Sequence, residues 1–211
     1  MALATYTDLQ SSIAAWMDRA DLTSVIPDFI ALFETTANAE MPLRTRFNLT
    51  ATALNTVNGT ATVNLPSDFL EAKALVNTAS TPYDILASYT ASSLYTQFPN
   101  AAQKGRPRGF TYIGSTLELA PVPDAVYALK LYYYQKVTSL SAGNTTNWLL
   151  TNFPNLYLFG SLVAAEAYLG SDPRMEVWGN LYGDLIQKLS SANERGQYGG
   201  APLSVKIDTG V

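Results

Sequence analysis

Asp68 and Glu71 are the carboxylates whose spacing comes closest to acid–base chemistry. Two carboxyl groups flanking a glycosidic bond can hydrolyse it, one as acid and the other as base or nucleophile. The bland reading is that Leu65-Pro66-Ser67-Asp68-Phe69 is a strand-to-turn junction with solvated acids. Lys104, Arg106 and Arg108 form the dense basic cluster, in Gln103-Lys104-Gly105-Arg106-Pro107-Arg108-Gly109. Such a cluster can hold a phosphate or an acidic partner surface, or can be a solvated loop. Glu166 falls inside the apolar run from Phe153 to Leu169. A carboxylate buried there needs a partner or a water-lined edge. Tyr132, Tyr133 and Tyr134 can stack on sugars or bases. In a strand only alternate side chains share a face, so sheet packing is the commoner role.

Little else is available for catalysis. The 211 residues include no His and no Cys. That excludes Ser-His-Asp and Cys-His nucleophiles, imidazole or thiolate metal sites, disulfides and imidazole pH switches. Neither an Asp-rich calcium loop nor a Gly-x-x-x-x-Gly-Lys phosphate loop occurs. We therefore expect no enzyme activity, no metal and no cofactor. Net charge is −4, with an isoelectric point near 4.8. A dedicated nucleic-acid binder needs clustered cations and is not expected. Charged residues make up 14% of the chain, against roughly 25% for an average domain. Such a neutral, polar surface suits a protein that buries much of itself against partners. Met1 to Tyr6 has no basic, apolar leader pattern, and the apolar run is too short and interrupted to span a membrane. A soluble protein that stays in the compartment of its synthesis is expected.

The elements that must position these residues follow from periodicity. Thr7 to Gln10 has capping-box spacing, and Leu9, Ile13, Trp16, Met17 and Ala20 form a helical stripe. A second helix starts near Pro27, carries Phe29, Ile30, Phe33, Ala37 and Met41 inward, and stops at Pro42. The short link between them predicts an antiparallel pair. From Phe47 the period becomes two: Leu49, Ala51 and Ala53 alternate with polar residues, as do Val63 and Leu65. Asn58-Gly59 between these runs predicts a hairpin. Strands are expected at Leu70–Val76, around Gly114 between Phe110 and Leu119, and at Tyr127–Tyr134, with a short helix at Ala91–Phe98. Helices resume at Trp148. Pro154 to Leu169 is apolar on most sides and should be the central helix. Asp172-Pro173 opens a last helix, with Trp178, Leu181, Tyr182, Leu185, Leu189 and Ala192 in its stripe, closing at Gly196.

The fold class is α+β. A small helical bundle, made of an N-terminal helix pair and two long C-terminal helices, carries an inserted antiparallel β-rich subdomain and an extended C-terminal arm. The boundaries are 1–46, 47–146, 147–196 and 197–211. In the arm, Leu203, Val205 and Ile207 fall on one side of an extended chain, and Gly199-Gly200 would be its hinge.

The order of short motifs resembles that of a known family. Ile26-Pro27-Asp28-Phe29-Ile30-Ala31-Leu32-Phe33-Glu34 is followed by Leu65-Pro66-Ser67-Asp68-Phe69-Leu70-Glu71, Gly105-Arg106-Pro107 and Leu117-Glu118-Leu119-Ala120-Pro121-Val122-Pro123. Leu131-Tyr132-Tyr133-Tyr134, Asn147-Trp148-Leu149-Leu150, Pro154-Asn155-Leu156-Tyr157-Leu158-Phe159-Gly160 and Trp178 complete the set. Together they resemble the adaptor, or head–tail connector, proteins of tailed bacteriophages, especially short-tailed ones, over about residues 5–200. The resemblance implies a structural virion protein with no catalytic residues. Copies would form a ring, commonly of about twelve, that joins the portal to a tail nozzle or tube protein in the virion neck. DNA would pass through without sequence-specific binding, no membrane would be involved, and assembly would take place in the host cytoplasm. It also implies that the arm, through Leu203, Val205 and Ile207, grips the portal. Lys104, Arg106 and Arg108 are the candidate interface loop. Two other classes stay open: a tail-associated glycan-binding or glycan-cleaving protein, and another tail-completion or tube subunit.

Overall fold

The computed structural model describes residues 3–39, 45, 47–100, 102–170 and 172–198. In chain order the elements are α1 (Tyr6–Met17), a 3-10 turn (Ala20–Leu22), α2 (Ile26–Ala39), β1 (Leu49–Asn55), β2 (Thr62–Asn64), β3 (Phe69–Asn77), β4 (Asp84–Ser88), α3 (Ala91–Gln97), β5 (Gly109–Ile113), β6 (Thr116–Ala120), β7 (Ala128–Gln135), α4 (Trp148–Asn152), α5 (Pro154–Ala164), α6 (Glu166–Leu169) and α7 (Met175–Tyr198). The protein is mixed α+β and divides into two compact units: Met1–Phe47 with Ser139–Val211, and Asn48–Thr138.

In the helical unit α5 packs against α1, α2 and α7. Its apolar side chains explain why: Leu156, Tyr157, Leu158 and Leu162 are all buried. Trp16 meets Phe159 edge-on at 5.2 Å, and Phe33 meets Tyr157 at 5.0 Å and Tyr182 at 6.1 Å. Gly160 lets α2 come this close, since a Cβ there would fall inside the Phe33 ring. The expected cap of α1 is displaced by two residues. Thr5, not Thr7, is the N-cap: Asp8 N–H donates to Thr5 Oγ1 at 3.2 Å, and Thr5 N–H donates to Asp8 Oδ2 at 3.1 Å. An Asp three residues on serves the reciprocal bond as well as the Gln that the spacing suggested. The apolar run from Pro154 is not one helix. It breaks at Ala165, and the short α6 leaves Glu166 exposed, so that carboxylate has no burial to offset. The last helix begins two residues later than Pro173 and continues past Gly196 to Tyr198.

The 48–138 unit is a curled seven-stranded sheet with strand order β1-β7-β3-β4-β5-β6-β2. All ladders are antiparallel except β4–β5, which the crossover helix α3 makes parallel. Leu75, Leu86, Phe110, Leu117, Leu119, Leu129, Leu131 and Tyr133 fill its core. The expected hairpin at Asn58-Gly59 is half right. The turn forms, with Gly59 at φ +78° and a Val57–Thr60 bridge. However, β1 pairs with β7 and β2 with β6, so consecutive strands become the two opposite edges of one sheet. A tight turn joining both edges requires the sheet to curl. The alternation in β1 holds with the faces exchanged. Leu49, Ala51 and Ala53 are exposed, while Thr50, Thr52 and Leu54 are half-buried. Leu54 is the side chain that packs on the core, and a period of two carries the threonines with it.

Candidate functional site

Glu34 is the most buried carboxylate among the described residues, at 3% exposure. It sits on α2 in line with the buried Ile30, because positions four apart share a helix face. Its Oε1 accepts the Tyr157 hydroxyl of α5 in a short hydrogen bond, and the Leu140 N–H at 2.8 Å. Asn147 Nδ2 donates to the Tyr157 oxygen at 3.2 Å, while Asn147 Oδ1 caps α4 by accepting the Leu150 N–H at 2.8 Å. One buried acid therefore ties α2, α5 and the segment that returns from the sheet. Burial, and then the bond to Glu34, push the Tyr157 hydroxyl far above its ordinary range. Tyr6 is raised by burial and by the charges of Glu34 and Asp28. These bonds hold α2, α5 and the Leu140 segment in register. Sequence reading quoted Glu34 only as part of a motif. The signal available was a carboxylate in phase with an apolar stripe.

Arg174 was also missed. Its guanidinium donates to the carbonyl oxygens of Trp16 at 3.0 Å and Met17 at 2.8 Å, at the C-terminus of α1. It also pairs with Asp172 at 2.8 Å and lies 5.3 Å from the Trp178 ring. A cation there satisfies orphan carbonyls and meets the negative helix end. The Arg174 bond holds the Asp172 carboxyl below the usual carboxylate range.

The Asp68 and Glu71 carboxylates have different tyrosine neighbours. Asp68 accepts the Tyr133 hydroxyl at 2.9 Å, and its own carbonyl accepts the Lys136 N–H at 2.8 Å. Glu71 lies on β3 near Tyr112. Burial, with the bond to Asp68 second, pushes Tyr133 up to about 12. Burial, with the charge of Glu71 second, pushes Tyr112 up to about 12. The aromatic groups around them, Phe69, Phe110, Tyr112 and Tyr133, are in mutual ring contact. This is side-chain packing at one end of the sheet, and Tyr133 serves the core as its alternation implied.

The basic cluster lies at the other end of the strands. Arg106 Nη2 donates to Ser80 Oγ at 2.7 Å and to Asp84 Oδ2 at 2.8 Å, so this cation is held within its own chain. Lys104 and Arg108 are exposed and hold no ion pair among the described residues. The loops around them are stitched together. Gly105 N–H donates to the Val122 carbonyl at 2.8 Å, Gly59 N–H to that of Pro123 at 2.8 Å, Thr56 N–H to that of Tyr127 at 3.1 Å and Thr78 N–H to that of Ala128 at 2.9 Å. Gly199, Gly200, Leu203, Val205 and Ile207 lie outside the described residues.

An apolar groove of about 260 Å³ opens between the start of α5 and α7, lined by Phe153, Pro154, Leu156, Leu185, Leu189 and Ala192. No group of three or more potential metal-ligating side chains occurs among the described residues. No described helix is long and apolar enough to cross a membrane.

No curated protein matches the chain. A family model described as SU10 adaptor protein matches residues 4–206, nearly the full length and thus parts of both units. This agrees with the phage head–tail adaptor resemblance carried by the ordered motifs, and supports a structural role in a virion. The chain belongs to the SU10 adaptor protein family.

Proposed function

We propose that the protein is a head–tail adaptor whose copies close into a ring between the portal and the tail of a phage particle, lining the channel through which DNA leaves. The observation that carries this reading is the family match over residues 4–206. The composition of the chain supports it. A ring subunit has two different faces that meet by rotation, and neutral polar or apolar surface serves such contacts better than a charged shell. The low charged fraction of 14% fits that demand. A net charge of −4 suits a channel that lets DNA slide, because a basic lumen would hold phosphates. Helices α1 to α7 make up more than a third of the chain, which favours an adaptor over a sheet-dominated tube subunit.

In this reading the helical unit supplies the bundle that builds the ring, and the residues that follow α7, 199–211, grip the portal through Leu203, Val205 and Ile207, with Gly199-Gly200 as the hinge. The protein needs neither cofactor nor metal for this work, and its place is the virion neck. Electron microscopy of the purified protein mixed with the portal of the same phage tests the assignment. A closed ring seated on the portal is the expected result; a mixture in which the two never associate overturns it. Removing Ala201–Val211 should spare folding and abolish stable portal attachment. A truncated protein that still seats on the portal refutes the role of the arm.

A further inference from the structure

The strands of the 48–138 unit have two ends. At one, the chain enters β1 and leaves β7, where Leu49 faces Tyr134. At the other, Asn55 faces Ala128, Asn77 faces both Leu129 and Asp84, and Gly109 faces Ala120. The four most exposed large apolar side chains among the described residues all stand at this second end. Tyr83 and Ile85 are each 71% exposed, Val126 is 68% and Val57 is 59%. Scattered apolar residues on a surface need no explanation, but a cluster of the most exposed ones does. From β1 through β7 and β3 to β4 they span three strand spacings, roughly 14 Å.

We propose that this end of the sheet is the docking surface for a tail-side protein of the same phage, one that presents apolar side chains ringed by carboxylates. The assignment rests on the adaptor reading above and names a partner for the candidate interface loop. Three observations select that partner. Lys104 and Arg108 border the patch as free cations on a chain whose net charge is −4, so an acidic rim is what they complement. A second copy docked tip to tip would bring the same excess of cations to the contact and so supplies no acidic rim to meet them. The loops are bonded to one another and Arg106 is fixed by Asp84, so the surface is preorganised for a shaped protein partner. Asp84 is taken up by Arg106 and Asp124 accepts the Tyr127 hydroxyl, so Lys104 and Arg108 together outweigh the remaining acid of these loops.

The experiment adds purified adaptor to DNA-filled heads of the same phage matured without it, followed by purified tails. Two variants are compared with the native chain. One is Tyr83→Ser with Ile85→Ser and Val126→Ser; the other is Lys104→Glu with Arg108→Glu. All five positions are exposed, and thermal unfolding checks that each variant folds. Both variants should seat on heads as the native protein does and then lose tail joining at least tenfold. Native joining should weaken with added salt, as exposed charge pairs do. Full tail joining by the apolar variant overturns the proposal. So does a loss already visible in ring formation or head attachment, which would assign the patch to a neighbouring copy or the portal. Sedimentation of the native chain, but not the apolar variant, with phosphatidylglycerol vesicles would make it a membrane surface instead. If the native chain joins neither heads nor tails, the adaptor reading itself fails and this assignment falls with it.

Discussion

Glu34 shows how one side chain can hold distant parts of a fold together. Its partners are 106 and 123 residues away in sequence, at Leu140 and Tyr157. Replacing Tyr157 by Phe removes the hydroxyl and leaves a buried carboxylate with one donor fewer. An unsatisfied buried group costs about 1–3 kcal/mol, more when it is charged. Tyr157→Phe should therefore lower the unfolding free energy measured in urea by about that amount; an unchanged midpoint would show that the Tyr157 bond does not hold Glu34. Tyr112 and Tyr133 make a second prediction at this scale. Their hydroxyls titrate at about 12, above the ordinary tyrosine value near 10. A group whose pKa is higher in the folded state stabilises the fold fully below the unfolded value, and that contribution is lost as pH rises to the folded one. Stability should thus fall between about pH 10 and 12. The phenolate absorbance of the native chain should show a late step, and Tyr133→Phe should shrink it. A Tyr133→Phe curve identical to the native one in that range would contradict the assignment.

At the scale of elements, close contact between α2 and α5 depends on the missing Cβ of Gly160. Adding one drives it into the Phe33 ring, which is itself packed on Tyr157 and Tyr182. Overpacking of this kind costs typically about 1–3 kcal/mol. Gly160→Ala should be destabilised by that amount, and adding Phe33→Leu should recover part of the loss by opening space. If the double variant is only the sum of two losses, the contact is not what limits the approach. α1 shows a different element-scale device. Its C-terminus is closed by the left-handed Asp18 and by Arg174, a residue that arrives from the turn before α7. The cap of one helix is thereby supplied by the start of another.

The whole molecule is sparsely charged, acidic and built from two compact units, and its family assigns it to phage adaptors. The ring proposed above would have to let DNA pass without retaining it. With 13 cations against 17 anions, the free protein should not retain duplex DNA at physiological salt. Fluorescence anisotropy with a labelled duplex measures this. Binding tighter than about 10⁻⁶ M would exceed ordinary non-specific affinity and contradict a sliding channel. The same economy of charge makes the free cations at the far end of the sheet informative, since few others on this surface can specify a partner.

Period and punctuation in the chain were enough for most of the elements, though not for β4 or for the break at Ala165. The switch from 3.6 to 2 at Phe47 and back near Trp148, the positive-φ glycines at Gly59 and Gly114 and the helix stop at Gly170 are all local properties, whereas the cap read at Thr7 forms at Thr5. Such signals act over a few residues, so a sequence carries them without help. The ordered motifs likewise carried the family. Tertiary structure alone decided where each element went. Asn58-Gly59 encodes a turn whichever strands it joins; that β1 and β2 became opposite edges followed from which ladders buried Leu54 and Val63. Glu34 found a tyrosine because α2 and α5 pack face to face, and Arg106 found Asp84 because parallel pairing of β4 and β5 brings their loops together. Val57, Tyr83, Ile85 and Val126 are unremarkable one by one and scattered over 70 residues of sequence. Only strand register places them at one end, because a sheet aligns residues by pairing across strands and not by their distance along the chain.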